Sequence, residues 1–445
     1  MRRLRFALIA TLSAAALGLA PRTIQHPLFP LRVSENHRAL EDASGTPFRV
    51  TGDSAWSLIA QLGPVDVSSY LDDRAARGFN AIIVNLIEHT FASNAPADHG
   101  GVQPFQPSGS FRNPNTIYFT NAHRVVEEAE RRGIAVWLCP AYLGWAGGDE
   151  GFFTEISAAG PAALREYGRF VGRRFKDLPN VVWMLGGDFA FPPTLRWLGD
   201  ELAAGLREGG ARQLMSAHGG QTTAVDTFGD RPWLAVDTVY SYAADPRPAL
   251  LAAYGRTPTR PIVLIESVYE GEHDARPEQI RRQAWTAILS GAAGQFFGNN
   301  PVWHFDGPTL FPFTGTWREA LDSDGARDIT RLGSLLRARL SSALEPDRDG
   351  RLVTIPNDPR PIAAAWTVRR DVALAYFPAG SRSGSNVLVN LRGFPKPMTA
   401  HWIDPGSDAP PRDGGILKPG ADGQRVTIPG DRDPTMDWVL MMESR

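Results

Sequence analysis

The chain has 445 residues, 43% of them hydrophobic and 21% charged, with a formal net charge of −2. That length exceeds one ordinary domain, and the balance is globular rather than disordered. The near-neutral charge supplies no basic field for nucleic acid or an anionic membrane. A single cysteine, Cys139, excludes an internal disulfide and any cysteine-rich zinc site, and it lies in the apolar run Val136-Trp137-Leu138-Cys139-Pro140, which reads as core.

In chain order, Arg2, Arg3 and Arg5 precede an apolar stretch from Phe6 to Leu19, followed by small residues. Residues 1–20 therefore read as a secretory signal peptide, with an uncleaved N-terminal anchor as the alternative because Pro21 follows Ala20 directly. The setting this implies is periplasmic or secreted, in a bacterium. Leu31 to Val50 reads as a short hairpin. From there strands and helices alternate. Strands are expected at 48–51, 79–86, 134–140, 181–185, 213–217, 235–241, 262–265 and 294–297. Helices are expected at 65–77, 115–132, 161–176, 194–207, 246–254, 277–289 and 327–339. Eight near-continuous apolar strands, covered on both faces, predict a (β/α)₈ barrel over 27–342. No G-x-G-x-x-G or Walker loop opens a helix, which turns away a nucleotide-binding open sheet. After Leu344 the runs shorten and Pro and Gly punctuate them, so 343–445 reads as a C-terminal β-sandwich.

A barrel works at the C-terminal ends of its strands. The polar residues expected there are Asp53, Asn85, Asp188, His218, Tyr242, Glu266 and Asn300, with Tyr142 beyond strand three. Two carboxylates, Asp188 after strand four and Glu266 after strand seven, form the pair that glycosidic cleavage needs, one to protonate the leaving oxygen and one to attack or to activate water. Asp188 as an Asx-turn residue and Glu266 as a solvated strand-end charge are the competing readings. Glu270 is the rival to Glu266, and as a base it would give an inverting hydrolase. Asp53 and His218 are candidates for substrate contact. Trp56, Trp303 and Trp145 lie just past strand ends, where an aromatic face can stack on sugar, and Tyr242 and Tyr269 are placed to donate to Glu266. No G-x-S-x-G elbow and no H-E-x-x-H zinc motif is present, and nothing calls for a metal or an organic cofactor. The partner expected is an oligo- or polysaccharide. A barrel that binds glycans without cutting them is the alternative function.

Several stretches together resemble a known family. They are Val33-Ser34-Glu35-Asn36, Gly52-Asp53-Ser54-Ala55-Trp56, Asp73 to Asn80, and Pro179-Asn180-Val181-Val182-Trp183-Met184-Leu185-Gly186-Gly187-Asp188. Glu266-Ser267-Val268-Tyr269-Glu270, Gly291 to Gly294 and Asn299 to Trp303 continue the pattern, and Asp437-Trp438-Val439-Leu440 closes it. The chain resembles the apiosidase-like proteins of glycoside hydrolase family 140, formerly a bacterial domain of unknown function, whose appended β module carries a collagen-binding label. The resemblance implies a (β/α)₈ barrel and a retaining mechanism, with Asp188 as acid/base and Glu266 as nucleophile. It also implies a sugar substrate of the apiosyl type found in plant rhamnogalacturonan. The chain departs from the pattern at Ser267, where the family often has Pro, and at Leu264-Ile265, where it often has Asp-Gly.

Overall fold

The structure is a computed structural model, and it describes residues 28–444 apart from 108–109, 359–361, 382–383, 421–422 and 431–435. The expected secretory signal lies outside the described residues. Among those described, no helix is long and apolar enough to cross a membrane.

Eight parallel strands alternate with eight helices. They are β1 (Val50–Ser54), β2 (Ala81–Asn85), β3 (Ala135–Cys139), β4 (Val181–Gly186), β5 (Met215–His218), β6 (Asp237–Tyr240), β7 (Ile262–Glu266) and β8 (Gly294–Phe297). The helices that follow them are α1 (Pro64–Ala76), α2 (Thr116–Arg131), α3 (Pro161–Phe175), α4 (Trp197–Glu208), α5 (Ala224–Phe228), α6 (Arg247–Tyr254), α7 (Pro277–Leu289) and α8 (Asp324–Arg339). The ladder runs β5-β4-β3-β2-β1-β8-β7-β6. At the remaining seam the Ala235 amide donates to the Met215 carbonyl at 2.8 Å, so the sheet is a nearly closed (β/α)₈ barrel. Before β1 a small antiparallel sheet, Arg32–Val33, Leu40–Glu41 and Pro47–Phe48, replaces the expected single hairpin. Leu40 and Phe48 join the interior cluster there.

Successive side chains of a strand face opposite ways, and this sorts the core into two layers. Ala81, Ile83, Ala135, Trp137, Cys139, Val182, Met184, Val263, Ile265 and Phe296 fill the barrel. Ile82, Val84, Val136, Leu138, Trp183 and Leu185 face the surrounding helices. Cys139 is buried, and burial pushes its thiol far above the usual range. Gly52 makes room for the interior: a methyl group there would lie 2.2 Å from the Phe296 ring.

The same alternation corrects the reading of Asp53. It turns outward, away from the barrel axis, and is fully buried against α1. Tyr70 Oη donates to its Oδ2 at 2.8 Å and Arg74 Nη1 lies 3.4 Å from the same oxygen. Asp53 therefore contacts no cavity. Burial, which outweighs the pull of Arg74, raises its carboxyl to about 6. Arg74→Met leaves this carboxylate without its cation. The expected loss is about 3–5 kcal/mol of stability at pH 7. Because protonating Asp53 relieves the unpaired charge, the loss should shrink as pH falls to 5. Denaturant titration at the two pH values checks both parts.

Beyond α8 the strands are antiparallel. β9 (Leu344–Pro346), β11 (Ala363–Thr367), β12 (Val372–Phe377), β17 (Trp438–Ser444), β14 (Met398–Ile403) and β15 (Arg412–Leu417) form one sheet, in that spatial order. β10 (Val353–Thr354), β13 (Asn386–Val389) and β16 (Gln424–Thr427) form the other. Ala373, Ala375, Phe377, Trp402 and Leu440 meet Val387, Val389 and Val426 between the sheets. Leu374, Tyr376, Val439 and Met441 face the other way, onto Ile280, Ala284, Ile329 and Leu332 of α7 and α8. This double burial explains why Val372–Phe377 is apolar at every position. Arg281 of α7 ties the two parts together, donating to Asp437 at 2.8–3.0 Å and to Asp328 at 2.8 Å.

Candidate active site

A cavity of about 360 Å³ opens at the C-terminal ends of the barrel strands. Asp188 and Glu266 both line it, with Trp56, Asn85, Tyr142, Tyr242, Tyr269 and Trp303. They arrive from seven strand ends, Glu266 and Tyr269 both from β7, so only the closed barrel brings them together.

Asp188 reaches the cavity through Gly186 and Gly187, whose φ angles are +97° and +139°. A side chain at Gly187 would lie 2.4 Å from the Tyr142 ring, and one at Gly186 would lie 2.5 Å from the His218 carbonyl. Only glycine fits this turn. It is fixed by the Gly187 amide donating to the His218 carbonyl at 2.8 Å, and by the Ala146 amide donating to the Asp188 carbonyl at 3.0 Å. Burial, reinforced by the charge of Glu266, raises the Asp188 carboxyl to about 7; His218, Tyr240 and Tyr142 pull the other way but do not win.

Glu266 takes a different route. By strand alternation Val263 and Ile265 point inward, so residue 266 should point out. The β7–β6 register shifts between Leu264 and Glu266. Such a bulge re-aims the following side chain, and here it delivers the carboxylate to the cavity. His218 Nε2 lies 2.8 Å from Glu266 Oε2, and Tyr242 Oη donates to Oε1 at 3.1 Å. His218 Nδ1 lies 2.9 Å from the Gly219 carbonyl, which can only accept. Nδ1 therefore carries a hydrogen, and the Nε2–Oε2 contact holds one shared proton. Burial lowers the His218 pKa, but the hydrogen bond and charge of Glu266, with Asp188 behind, leave it raised.

Four of the residues expected at the site lie elsewhere. Asp53 is packed under α1. His218 is fully buried and touches Glu266 rather than the cavity. Glu270 accepts from Asn299 Nδ2 at 2.9 Å, Ser323 Oγ at 2.5 Å and the Gly325 amide at 2.8 Å, so it caps the start of α8. Asn300 is buried, donating to the Pro312 carbonyl at 3.2 Å and facing His304 Nε2 at 2.7 Å. Tyr269 does line the cavity, yet its hydroxyl donates to Ser54 Oγ at 3.1 Å instead of to Glu266. Trp56 Nε1 donates to that same hydroxyl at 2.9 Å.

The cavity also holds residues that strand-end reasoning missed. Tyr240, the last residue of β6, sits in the ring of interior side chains and lines the cavity. Glu272 lines it as well, accepting from Trp303 Nε1 at 2.8 Å. Burial raises Glu272 to about 7. Its sequence signal was slight, a carboxylate six residues past a strand end. Phe91, Phe311 and Leu310 complete an aromatic and apolar rim, with Trp145 64% exposed at the mouth. The Trp303 and Phe91 rings meet edge to face at 5.0 Å. Among the described residues no group of three or more His, Cys, Asp and Glu could hold a metal ion. An apolar-walled pocket holding two carboxyls in opposed environments suits acid-assisted displacement.

Comparison with known proteins gives a family and a fold. The family model described as "Apiosidase-like, catalytic domain" matches residues 34–341. A glycoside hydrolase family 5 structure from Bacteroides vulgatus ATCC 8482 is similar, with a TM-score of 0.78, 23% identity, and 93% of each chain covered. A second structure, titled only as a glycoside hydrolase, has a TM-score of 0.79 and 21% identity, covering 94% of this chain and 97% of its own. Another glycoside hydrolase structure from Bacteroides vulgatus ATCC 8482 has a TM-score of 0.67 and 15% identity, covering 94% of this chain and 83% of its own. At these identities the structures speak for the fold. No curated protein matches the chain in sequence.

Proposed function

We propose, for a chain that belongs to the apiosidase-like family of glycoside hydrolases, a retaining cleavage of a polysaccharide glycoside by Asp188 and Glu266. The observation that carries it is the contrast between the two carboxyls. Asp188 is raised to about 7 and so holds a proton near neutrality. Glu266 meets two partners at the same cavity, His218 Nε2 at 2.8 Å and Tyr242 Oη at 3.1 Å. In the first step Asp188 gives its proton to the glycosidic oxygen as the bond to the anomeric carbon breaks. A Glu266 oxygen bonds to that carbon, and a glycosyl ester forms. In the second step Asp188 takes a proton from water, whose oxygen displaces Glu266 and restores both groups. Trp56, Trp303 and Tyr142 form the walls against which a sugar ring packs. An apiosyl or other plant cell-wall glycoside is the substrate class this reading favours. Action outside the cytoplasm, expected from the N-terminal residues, is part of the same proposal.

Reducing-sugar release from a panel of rhamnogalacturonan, arabinan and mannan tests it. Release by the wild type and not by Glu266→Gln is expected. Release that survives the substitution would move the nucleophile elsewhere.

The pH profile follows from Asp188. The acid works only when protonated, so kcat/KM should fall as pH rises through about 7, about tenfold per pH unit beyond it. With an aryl glycoside whose leaving group needs no proton, this alkaline limb should flatten. An unchanged limb would assign it to another group.

A further inference from the structure

A second, larger groove of about 900 Å³ lies between the end of α6 and the β-sandwich and shares no lining residue with the catalytic cavity. Its character is opposite to that of the catalytic cavity, whose lining includes four carboxylates and neither Lys nor Arg. Arg348, Arg351, Arg370 and Arg392 line the groove, beside the rings of Trp366 and Phe394. The whole chain carries a net charge of −2, so four guanidiniums in one concavity depart from its average surface.

The local acids do not neutralise them. The buried Asp347 carboxylate accepts from the Leu352 amide at 2.7 Å. Glu345 accepts from Trp366 Nε1 at 3.0 Å. Among the described residues Asp349 pairs only with Arg351, at 3.4 Å between two exposed side chains. Among the described residues Arg348, Arg370 and Arg392 have no carboxylate partner. Arg370 is nevertheless held in place. It sits at φ +54° in the β11–β12 turn, its guanidinium 5.6 Å from the centres of both the Trp366 and Phe394 rings. Its Nη1 donates to the Arg392 carbonyl at 3.4 Å. The floor is anchored to the barrel by Arg247, which donates to the Asp347 carbonyl at 2.9 Å. A guanidinium presents paired donors matched to a carboxylate, and an aromatic face beside it offers apolar contact to a ring.

We propose, resting on the glycan reading above only for the sugar part of the ligand, that this groove binds a uronate-bearing polysaccharide. Its carboxylates pair with Arg370 and Arg392, and its sugar rings pack along Trp366. The site holds an acidic chain while the carboxylate-lined cavity of the barrel cuts a glycosyl unit without a charge. A salt-sensitive affinity follows, because the arginines are exposed or half-buried.

Affinity electrophoresis of the full chain through gels containing polygalacturonate tests this without turnover, so it can fail independently of the catalytic reading. Retardation by polygalacturonate is expected, with none by its fully methyl-esterified form. Arg370→Gln/Arg392→Gln should weaken binding about tenfold or more while leaving turnover of a small soluble glycoside unchanged. Arg348→Gln/Arg351→Gln, away from the ring contacts, provides the same test should the first pair disturb folding. No retardation, or retardation unchanged in both double variants, would overturn the proposal. Equal retardation by dextran sulfate would also overturn it, since that marks a general polyanion surface.

Discussion

Glu266→Gln is expected to bind substrate and to turn it over about 10⁴–10⁶-fold more slowly, the scale on which hydrolases lose rate when a covalent nucleophile is removed. The substitution is nearly isosteric. Its amide oxygen can still accept from Tyr242, and its amide can still meet His218, the two partners of the native carboxylate. The pocket should therefore keep its shape, and KM should change far less than kcat. What is lost is the oxygen that bonds to the anomeric carbon. The charge that adds to burial in raising Asp188 is lost too, so the alkaline limb of any residual activity should move to lower pH. Steady-state kinetics across pH 5–9 reads both effects. A kcat within tenfold of wild type would remove Glu266 from the mechanism.

Asp188→Asn is expected to show an effect that depends on the leaving group. With an alkyl or sugar leaving group, which needs the proton, the loss should be about 10²–10⁴-fold. With a dinitrophenyl glycoside the first step proceeds without an acid, and the second, lacking its base, becomes limiting. A burst of phenolate followed by slow turnover is the expected trace, and azide should restore the steady rate. Equal loss on both substrates, with no burst, would mean that Asp188 only shapes the turn after β4.

The barrel was legible because its strands are apolar runs ended by polar residues and separated by helices of ordinary length. All eight strands fall within the expected segments or overlap them. The five-residue helix α5 was missed because Thr223 to Phe228 is too short to show a 3.6-residue period; it rests on the Thr223 side chain capping the Asp226 amide at 3.1 Å. In the sandwich, Arg412–Leu417 loses the period of two at Gly414 and Gly415, whereas Met398–Ile403 keeps it.

At the site, listing the polar residue at each strand end worked where strand parity and cavity agreed, as for Asn85. Asp53 shows what the list lacked. Val50 and Phe296 already mark which face of the sheet is interior, and counting by twos from Val50 turns Asp53 outward. The same count would have dismissed Glu266, which enters only through the β7 bulge, and a bulge leaves no mark in an apolar run. Glu270 and Glu272 stand two residues apart yet serve α8 and the cavity respectively. The turn at Gly271, φ +83°, lies between them, and nothing in the composition of that segment distinguishes the two carboxylates. His218 lay one contact from its expected place: it holds the carboxylate that faces the cavity.

The most direct test of the catalytic assignment is the anomeric configuration of the first product, followed by proton NMR with an activated glycoside and azide. Wild type should release sugar with the substrate's configuration. Glu266→Gly should yield a glycosyl azide of the opposite configuration, because azide enters from the face the carboxylate occupied. Asp188→Gly should yield one of the same configuration, because azide enters after Glu266 has bonded. Inverted sugar from the wild type, or a retained azide from Glu266→Gly, would contradict a covalent role for Glu266.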